Sequence, residues 1–219
     1  GAGKTTCLRT LFGLLKADSG SAEIDGLNVV TQSSQAKQQL GLFPDPCGLY
    51  ERLTPREYVQ FFAELNGMAG KDAKQATDEV LSLLKMQDIA DRRCQGFSQG
   101  QRMKTALAQA IVHKPNNIVL DEPTRGLDYE AKNRLMALLH HRARQDGTTV
   151  LMATHDVEIV AEVADRVIFL AEGEKVADGS TLDVLLASPA FAPQVAKVMS
   201  PRPWLTVDDV LRSQGSPEA

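Results

Sequence analysis

Gly96-Phe97-Ser98-Gln99-Gly100-Gln101-Arg102-Met103-Lys104 opens the stretch that decides the fold, and Asn117-Ile118-Val119-Leu120-Asp121-Glu122-Pro123-Thr124-Arg125-Gly126-Leu127-Asp128 closes it. Ser98 stands where a helix cap belongs. After it Met103, Ala106, Leu107, Ala110 and Ile111 recur at helical spacing, which gives the helix one buried face. Ile118–Leu120 is short and apolar, so it reads as a strand, and it ends in two carboxylates. In an open α/β sheet the carboxyl ends of the strands are where nucleotide phosphates collect. The following turn delivers a third carboxylate, Asp128.

Outward from there the chain alternates strand and helix, which means a parallel sheet. Tyr129–Gln145 reads as a helix closed by Gly147, Val150–Thr154 as a strand, Asp156–Ala164 as a helix and Arg166–Leu170 as a strand. A turn at 171–174 leads to a last strand, Lys175–Ala177, and to a helix from Thr181 to Leu186. Pro189, Pro193, Pro201 and Pro203 then break the pattern, and the end reads as a frayed tail. Toward the N-terminus, Leu40–Phe43 is a strand. Thr54-Pro55-Arg56-Glu57 has the form of a capping box with proline at the first helical position. That helix runs to about Asn66, with Gly67 as terminator, and Asp72–Met86 is a second one burying Val80, Leu81 and Leu84. Asp18–Val30 reads as a hairpin around Asp25-Gly26, and Thr5–Leu15 as a helix with Leu8, Leu11, Phe12 and Leu15 on one face. The expected organisation is one domain over 1–219. It has an α/β core (1–45 and 113–187), an inserted helical block of about 46–112 and a tail from 188.

Of the 219 residues 43% are hydrophobic and 24% charged, with a net charge of −4. That length is ample for a core, and the acidic balance counts against a nucleic-acid surface. No apolar run approaches the roughly 18 residues of a membrane span. Cys7, Cys47 and Cys94 are far apart, as in a protein with reduced cytosolic thiols.

The first residues, Gly1-Ala2-Gly3-Lys4-Thr5-Thr6, match the end of a phosphate-binding loop. Its opening glycine and feeding strand would precede residue 1, so the chain is expected to be truncated and the hairpin to lack sheet partners. In such a loop backbone N–H groups and a helix N-terminus face phosphate oxygens. Lys4 suits the terminal phosphates and the Thr5 hydroxyl suits Mg²⁺. Asp121 suits the same metal and Glu122 an attacking water. Gly100 lets a phosphate approach the first turn of the helix capped by Ser98. His155, one strand beyond the acidic pair at the same edge, can hydrogen-bond a γ-phosphate oxygen or that water. Asn117 is polar where such a strand is usually apolar.

With these motifs in this order the chain resembles the ATP-binding subunit of ABC transporters. Gly1–Thr6 looks like the end of its Walker A loop and Phe97–Gln101 like its signature motif, with Gln99 in place of the commoner glycine. Ile118–Glu122 looks like Walker B, Gly126-Leu127-Asp128 like the D-loop, and Thr154-His155-Asp156 like the switch histidine. Asp45 stands where the family has glutamine. It could reach the metal but adds a negative charge beside ATP. Phe43-Pro44-Asp45 with Gly48–Thr54 is similar to the bacterial sodium-extrusion and drug-export branch.

The resemblance implies a P-loop NTPase, a RecA-like parallel sheet with flanking helices, an inserted helical subdomain and a remnant antiparallel hairpin. It implies a head-to-tail dimer, of two copies or with a paralogue, closing on ATP and Mg²⁺. One subunit would supply Gly1–Thr6, Asp121, Glu122 and His155, and the other Ser98, Gln99, Gly100 and Gln101. It also implies a membrane-spanning permease partner at the cytoplasmic face, met by the helical block and the Asp45 loop, with no nucleic acid. A non-transport member acting on ribosomes or DNA is the alternative, disfavoured by the lack of tandem cassettes and of a coiled-coil insertion.

Overall fold

The computed structural model describes residues 2–44, 48–187 and 191–215. These divide into two units, Thr5–Ala153 and the residues up to Lys4 together with those from Thr154 onward. Along the larger unit run α1 (Lys4–Leu11), β1 (Glu23–Ile24), β2 (Leu27–Asn28), α2 (Ser33–Gln38), β3 (Leu40–Phe43), α3 (Pro55–Leu65), α4 (Gly70–Leu83), α5 (Gln99–Ile111), β4 (Asn117–Asp121), α6 (Tyr129–Gln145) and β5 (Thr149–Ala153). The smaller carries α7 (Val157–Val163), β6 (Arg166–Ala171), β7 (Glu174–Ser180), α8 (Thr181–Leu186), α9 (Gln194–Met199) and α10 (Val207–Gly215).

The parallel sheet is present, in the order β3-β4-β5, but β6, read from the alternation as a further strand of it, pairs antiparallel with β7 in a separate two-stranded sheet. Leu40 pairs with Asn117, Phe43 with Leu120, and Asp121 with Ala153. Ile118, Val119 and Leu120 of the central strand are fully buried, as a parallel strand covered on both faces must be. Leu8, Phe12, Ile24, Val29, Ala36, Leu40 and Val119 form a core cluster joining α1, the β1-β2 hairpin and α2 to this sheet. The hairpin turns at Asp25-Gly26 with both φ positive, 50 and 75°, which matches the right-handed strand twist.

Asn117, polar in an otherwise apolar strand, is accounted for here. Its amide donates to the Asp25 carboxylate at 2.9 Å, so the hairpin turn is fastened to the start of β4.

The helical block follows its caps. The Thr54 hydroxyl accepts from the Glu57 N–H while the Glu57 carboxylate accepts from the Thr54 N–H. Tyr58, Val59 and Ala63 of α3 are buried, as are Ala73, Ala76, Thr77, Val80 and Leu81 of α4. The buried Thr77 hydroxyl is satisfied by the Ala73 carbonyl at 2.7 Å. Arg56 spans the block's start, donating to Asp78 and, at 2.7 Å, to Asp91.

Several elements differ from the sequence reading, among them the helix read as Asp72–Met86, which spans Gly70–Leu83 and leaves Leu84 half-buried. α1 stops at Leu11, the chain turns at Gly13 (φ 66°), and Leu15 is exposed rather than on a buried face. The helix α2 has no capping side chain, which is why its polar sequence gives no start signal. β7 extends to Ser180, because the Asp178 carboxylate accepts from both Arg166 and Lys175, which hold its pKa down to about 2. The segment read as a tail holds two helices. Pro193 caps α9 from outside, and before α10 Asp209 and Thr206 exchange hydrogen bonds, a Thr-x-x-Asp cap. Leu185, Ala192, Ala196 and Leu205 bury this segment against α7.

Cys7 is exposed and Cys94 buried, both as free thiols, while Cys47 lies outside the described residues. No described helix is long and apolar enough to cross a membrane.

His113, just past α5, has both ring nitrogens buried without a hydrogen-bond partner. Burial pushes its pKa below the ordinary value, opposed in part by the backbone of Leu40. The folded state therefore holds the neutral ring. Its contribution is fully present above about pH 6.5 and is lost as pH falls below it, at up to about 1.4 kcal/mol per pH unit within that window. Denaturant midpoints at pH 7.5 and 5.5 should draw together in His113→Leu relative to the parent. An unchanged gap would remove His113 as the cause.

Candidate functional site

Asp121 closes β4, and only 4% of it is exposed. Its Oδ1 has no hydrogen-bond partner. An ionised carboxylate is costly to bury without a counter-charge or donor, so this oxygen fits a cation that the described protein atoms do not supply. A hard divalent ion that takes oxygen ligands matches that donor, and the hydroxyl of Thr5 in the first turn of α1 is of the same donor type.

Glu122 is half-buried and sits at φ 47°, a region uncommon for residues other than glycine. Its N–H donates to the Ala153 carbonyl at 2.8 Å. That bond continues the β4-β5 ladder one step while the chain turns. The turn beyond is tied by Arg125 N–H to the Glu122 carbonyl and Leu127 N–H to the Thr124 carbonyl. Asp128 ends it as the cap of α6, its carboxylate accepting from the Ala131 N–H at 2.8 Å.

Ser98 caps α5 in a full capping box. Its hydroxyl accepts from the Gln101 N–H at 3.3 Å, and the Gln101 side-chain oxygen accepts from the Ser98 N–H at 3.1 Å. The same Gln101 oxygen accepts from Arg92 at 3.1 Å, and the Arg92 guanidinium lies over the Phe97 ring. Gln101 is thereby spent on building the turn. Ser98 and Gln99 are exposed, and a Cβ placed on Gly126 would meet the Gln99 stem at 3.2 Å. The Gln99 side chain thus lies along the turn that follows Glu122.

Of the phosphate-loop residues, Gly3 has φ 89° and Lys4 begins α1. Gly1 and Asp45 lie outside the described residues. Thr5, Thr6, Ser98, Gln99, Gly100, Gln101, Asp121, Glu122 and Asp128 lie in the larger unit, whereas Ala2, Gly3, Lys4 and His155 belong to the smaller one. Just beyond β5, the Thr154 hydroxyl accepts from the Asp156 N–H and Asp156 caps α7, which sets the backbone on either side of His155. Arg92 and Glu51 were not apparent from sequence. They reach the Ser98 turn across loops, where no periodicity connects them.

The sequence profile of the ABC transporter family matches residues 1–125. The chain belongs to the ABC transporter family. A putative ABC transporter ATP-binding protein of Streptomyces coelicolor is 42% identical over 96% of this chain, which spans 37% of that protein's length. The ABC transporter ATP-binding protein NatA of Bacillus subtilis is 37% identical, over 82% of this chain and 73% of its own. A solved dimeric ATP-binding cassette in a post-hydrolysis state with ADP and phosphate superposes with a TM-score of 0.76, at 25% identity, over 82% of this chain and 81% of its own. The fold is accordingly that of the family's P-loop ATP-binding cassette.

Proposed function

We propose that this cassette hydrolyses ATP in a head-to-tail dimer, and that closure of the dimer drives export through a separate membrane-spanning permease. The observation that carries the hydrolytic reading is the end of β4: a buried Asp121 with an unpartnered oxygen, followed by Glu122 held at positive φ. In this reading Gly3, Lys4 and the N-terminus of α1 receive the phosphates. Thr5 and Asp121 hold Mg²⁺, which when bound neutralises phosphate charge. Glu122 takes the proton of the attacking water, and His155 donates to a γ-phosphate oxygen.

Ser98 and Gly100 would serve the ATP of a second cassette. The exposure of Ser98 in one copy and the dimeric structure similar to this chain support this. Docking to a permease at the cytoplasmic face is supported by Tyr50, Phe61 and Leu65, which are 60, 48 and 65% exposed. Tyr50 and Phe61 continue a ladder of rings through Tyr58 and Phe62, and exposed aromatic clusters of this kind mark protein contacts. Export rather than import is favoured by the similarity to a Nod factor export ATP-binding protein of Burkholderia orbicola, 34% identical over 82% of this chain.

Ser98→Asp tests the shared site. Aspartate caps a helix about as well as serine, so the unfolding midpoint should hold. Its charge would repel a bound phosphate, and turnover should fall roughly 100-fold, the scale of losing one preorganised phosphate donor. Turnover equal to the parent's would sink the dimer reading.

A further inference from the structure

The segment that enters α3 is stitched to the segment that enters α5. Cys94 N–H donates to the Leu53 carbonyl at 2.9 Å, and Gln95 N–H to the Glu51 carbonyl at 3.0 Å. A side-chain link repeats the join. Arg102 Nη2 donates to the Glu51 carboxylate at 3.0 Å, while its Nε reaches the Phe97 carbonyl at 3.4 Å. Arg102 N–H also donates to the Ser98 carbonyl at 2.9 Å. One arginine therefore grips the turn on both sides of Ser98 and anchors it to residue 51.

The pair is half-exposed, with Glu51 53% and Arg102 29% open to solvent. Such pairs add little to stability, so fold maintenance does not explain this arrangement. What the link does fix is an angle. A planar guanidinium with two separate donors in use holds both acceptors in one orientation, and here they belong to different segments. Residue 51 also follows Tyr50, the exposed ring at the head of the aromatic ladder.

We propose that Glu51 is a positioning residue for the signature turn. Acting through Arg102, it sets the direction in which Ser98 and Gly100 face the nucleotide, and it passes displacement of the 48–53 segment into that turn. This rests on the dimeric ATPase reading above.

The test uses the full-length protein with ATP turnover and thermal unfolding as readouts. Glu51→Gln should lower kcat about ten-fold with KM for ATP within about two-fold, the signature of lost positioning rather than lost binding. Its unfolding midpoint should match the parent's. The swap Glu51→Arg/Arg102→Glu should recover most of the loss. The inference is overturned if kcat of Glu51→Gln stays at the parent value, if KM rises instead, if the midpoint falls along with turnover, or if the swap recovers nothing. Ser98→Asp in parallel separates the two layers. If it removes turnover and Glu51→Gln does not, only the positioning role fails; if Ser98→Asp is itself silent, the dimer reading fails and this role with it.

Discussion

Glu122→Gln should reduce ATP turnover by about 10²–10⁴-fold, the range a positioned general base supplies, while ATP still binds. Glutamine keeps the volume and can still accept a hydrogen bond from water, but it cannot take a proton at neutral pH. The backbone at this position is held by main-chain hydrogen bonds that the substitution does not remove. The Glu122 N–H to Ala153 carbonyl bond and the 122–127 turn involve no side-chain atom of residue 122. With hydrolysis blocked, the closed dimer has no route to its products, so it should accumulate. Gel filtration with ATP should show a species of twice the mass that disappears without nucleotide. Normal turnover in this variant would mean that another group accepts the proton. A monomer that binds ATP yet never pairs would leave the chemistry in place and remove the dimer.

The parts of the site legible in the sequence are those whose determinants are local. The Ser98 cap, the pairing of Thr54 with Glu57, and the apolar repeat of α5 each depend on residues a few positions apart, and each forms as read, with Gln101 completing the Ser98 cap into a box. The three-stranded sheet was legible because its strands are short apolar runs between helices. What escaped reading depends on residues far apart in the chain. Asn117 looked misplaced in β4 because its partner, Asp25, stands 92 residues earlier. Glu51 and Arg102 are 51 residues apart. Helices α9 and α10 were hidden because prolines read as breakers when taken one at a time, although Pro193 lies outside the helix it precedes. Helix α2 escaped for the opposite reason, since a polar hexapeptide without a capping side chain carries no signal of its own.

Gly41 is the position where the sequence was least informative and the structure makes the sharpest demand. It read as one residue of a short strand. In β3 it faces α5, and a Cβ built there would lie 2.2 Å from the Ala110 carbonyl oxygen and 2.9 Å from the Pro115 ring. The first obstacle is helix backbone, which cannot rotate away as a side chain can. Ala110 is itself fully buried, as are the flanking Leu107 and Ile111, so α5 can move off only by opening packed core. Gly41→Ala should therefore destabilise the protein by about 3 kcal/mol, at the upper end for overpacking. For a chain of this size that corresponds to a midpoint lower by roughly 6–12 °C. Gly70→Ala is the matched control: the same methyl meets nothing within 4 Å at the start of α4. There it should be neutral or stabilising by up to about 1 kcal/mol, because alanine restricts the unfolded chain and favours the helix. The two substitutions add the same group, so opposite signs can come only from what surrounds it. Equal midpoints would mean that α5 does not rest on β3 as closely as described. The consequence reaches function, because α5 carries Ser98 at its head. A helix displaced by one methyl at Gly41 would present the signature turn at the wrong height, so turnover in Gly41→Ala should fall even at temperatures where the variant remains folded.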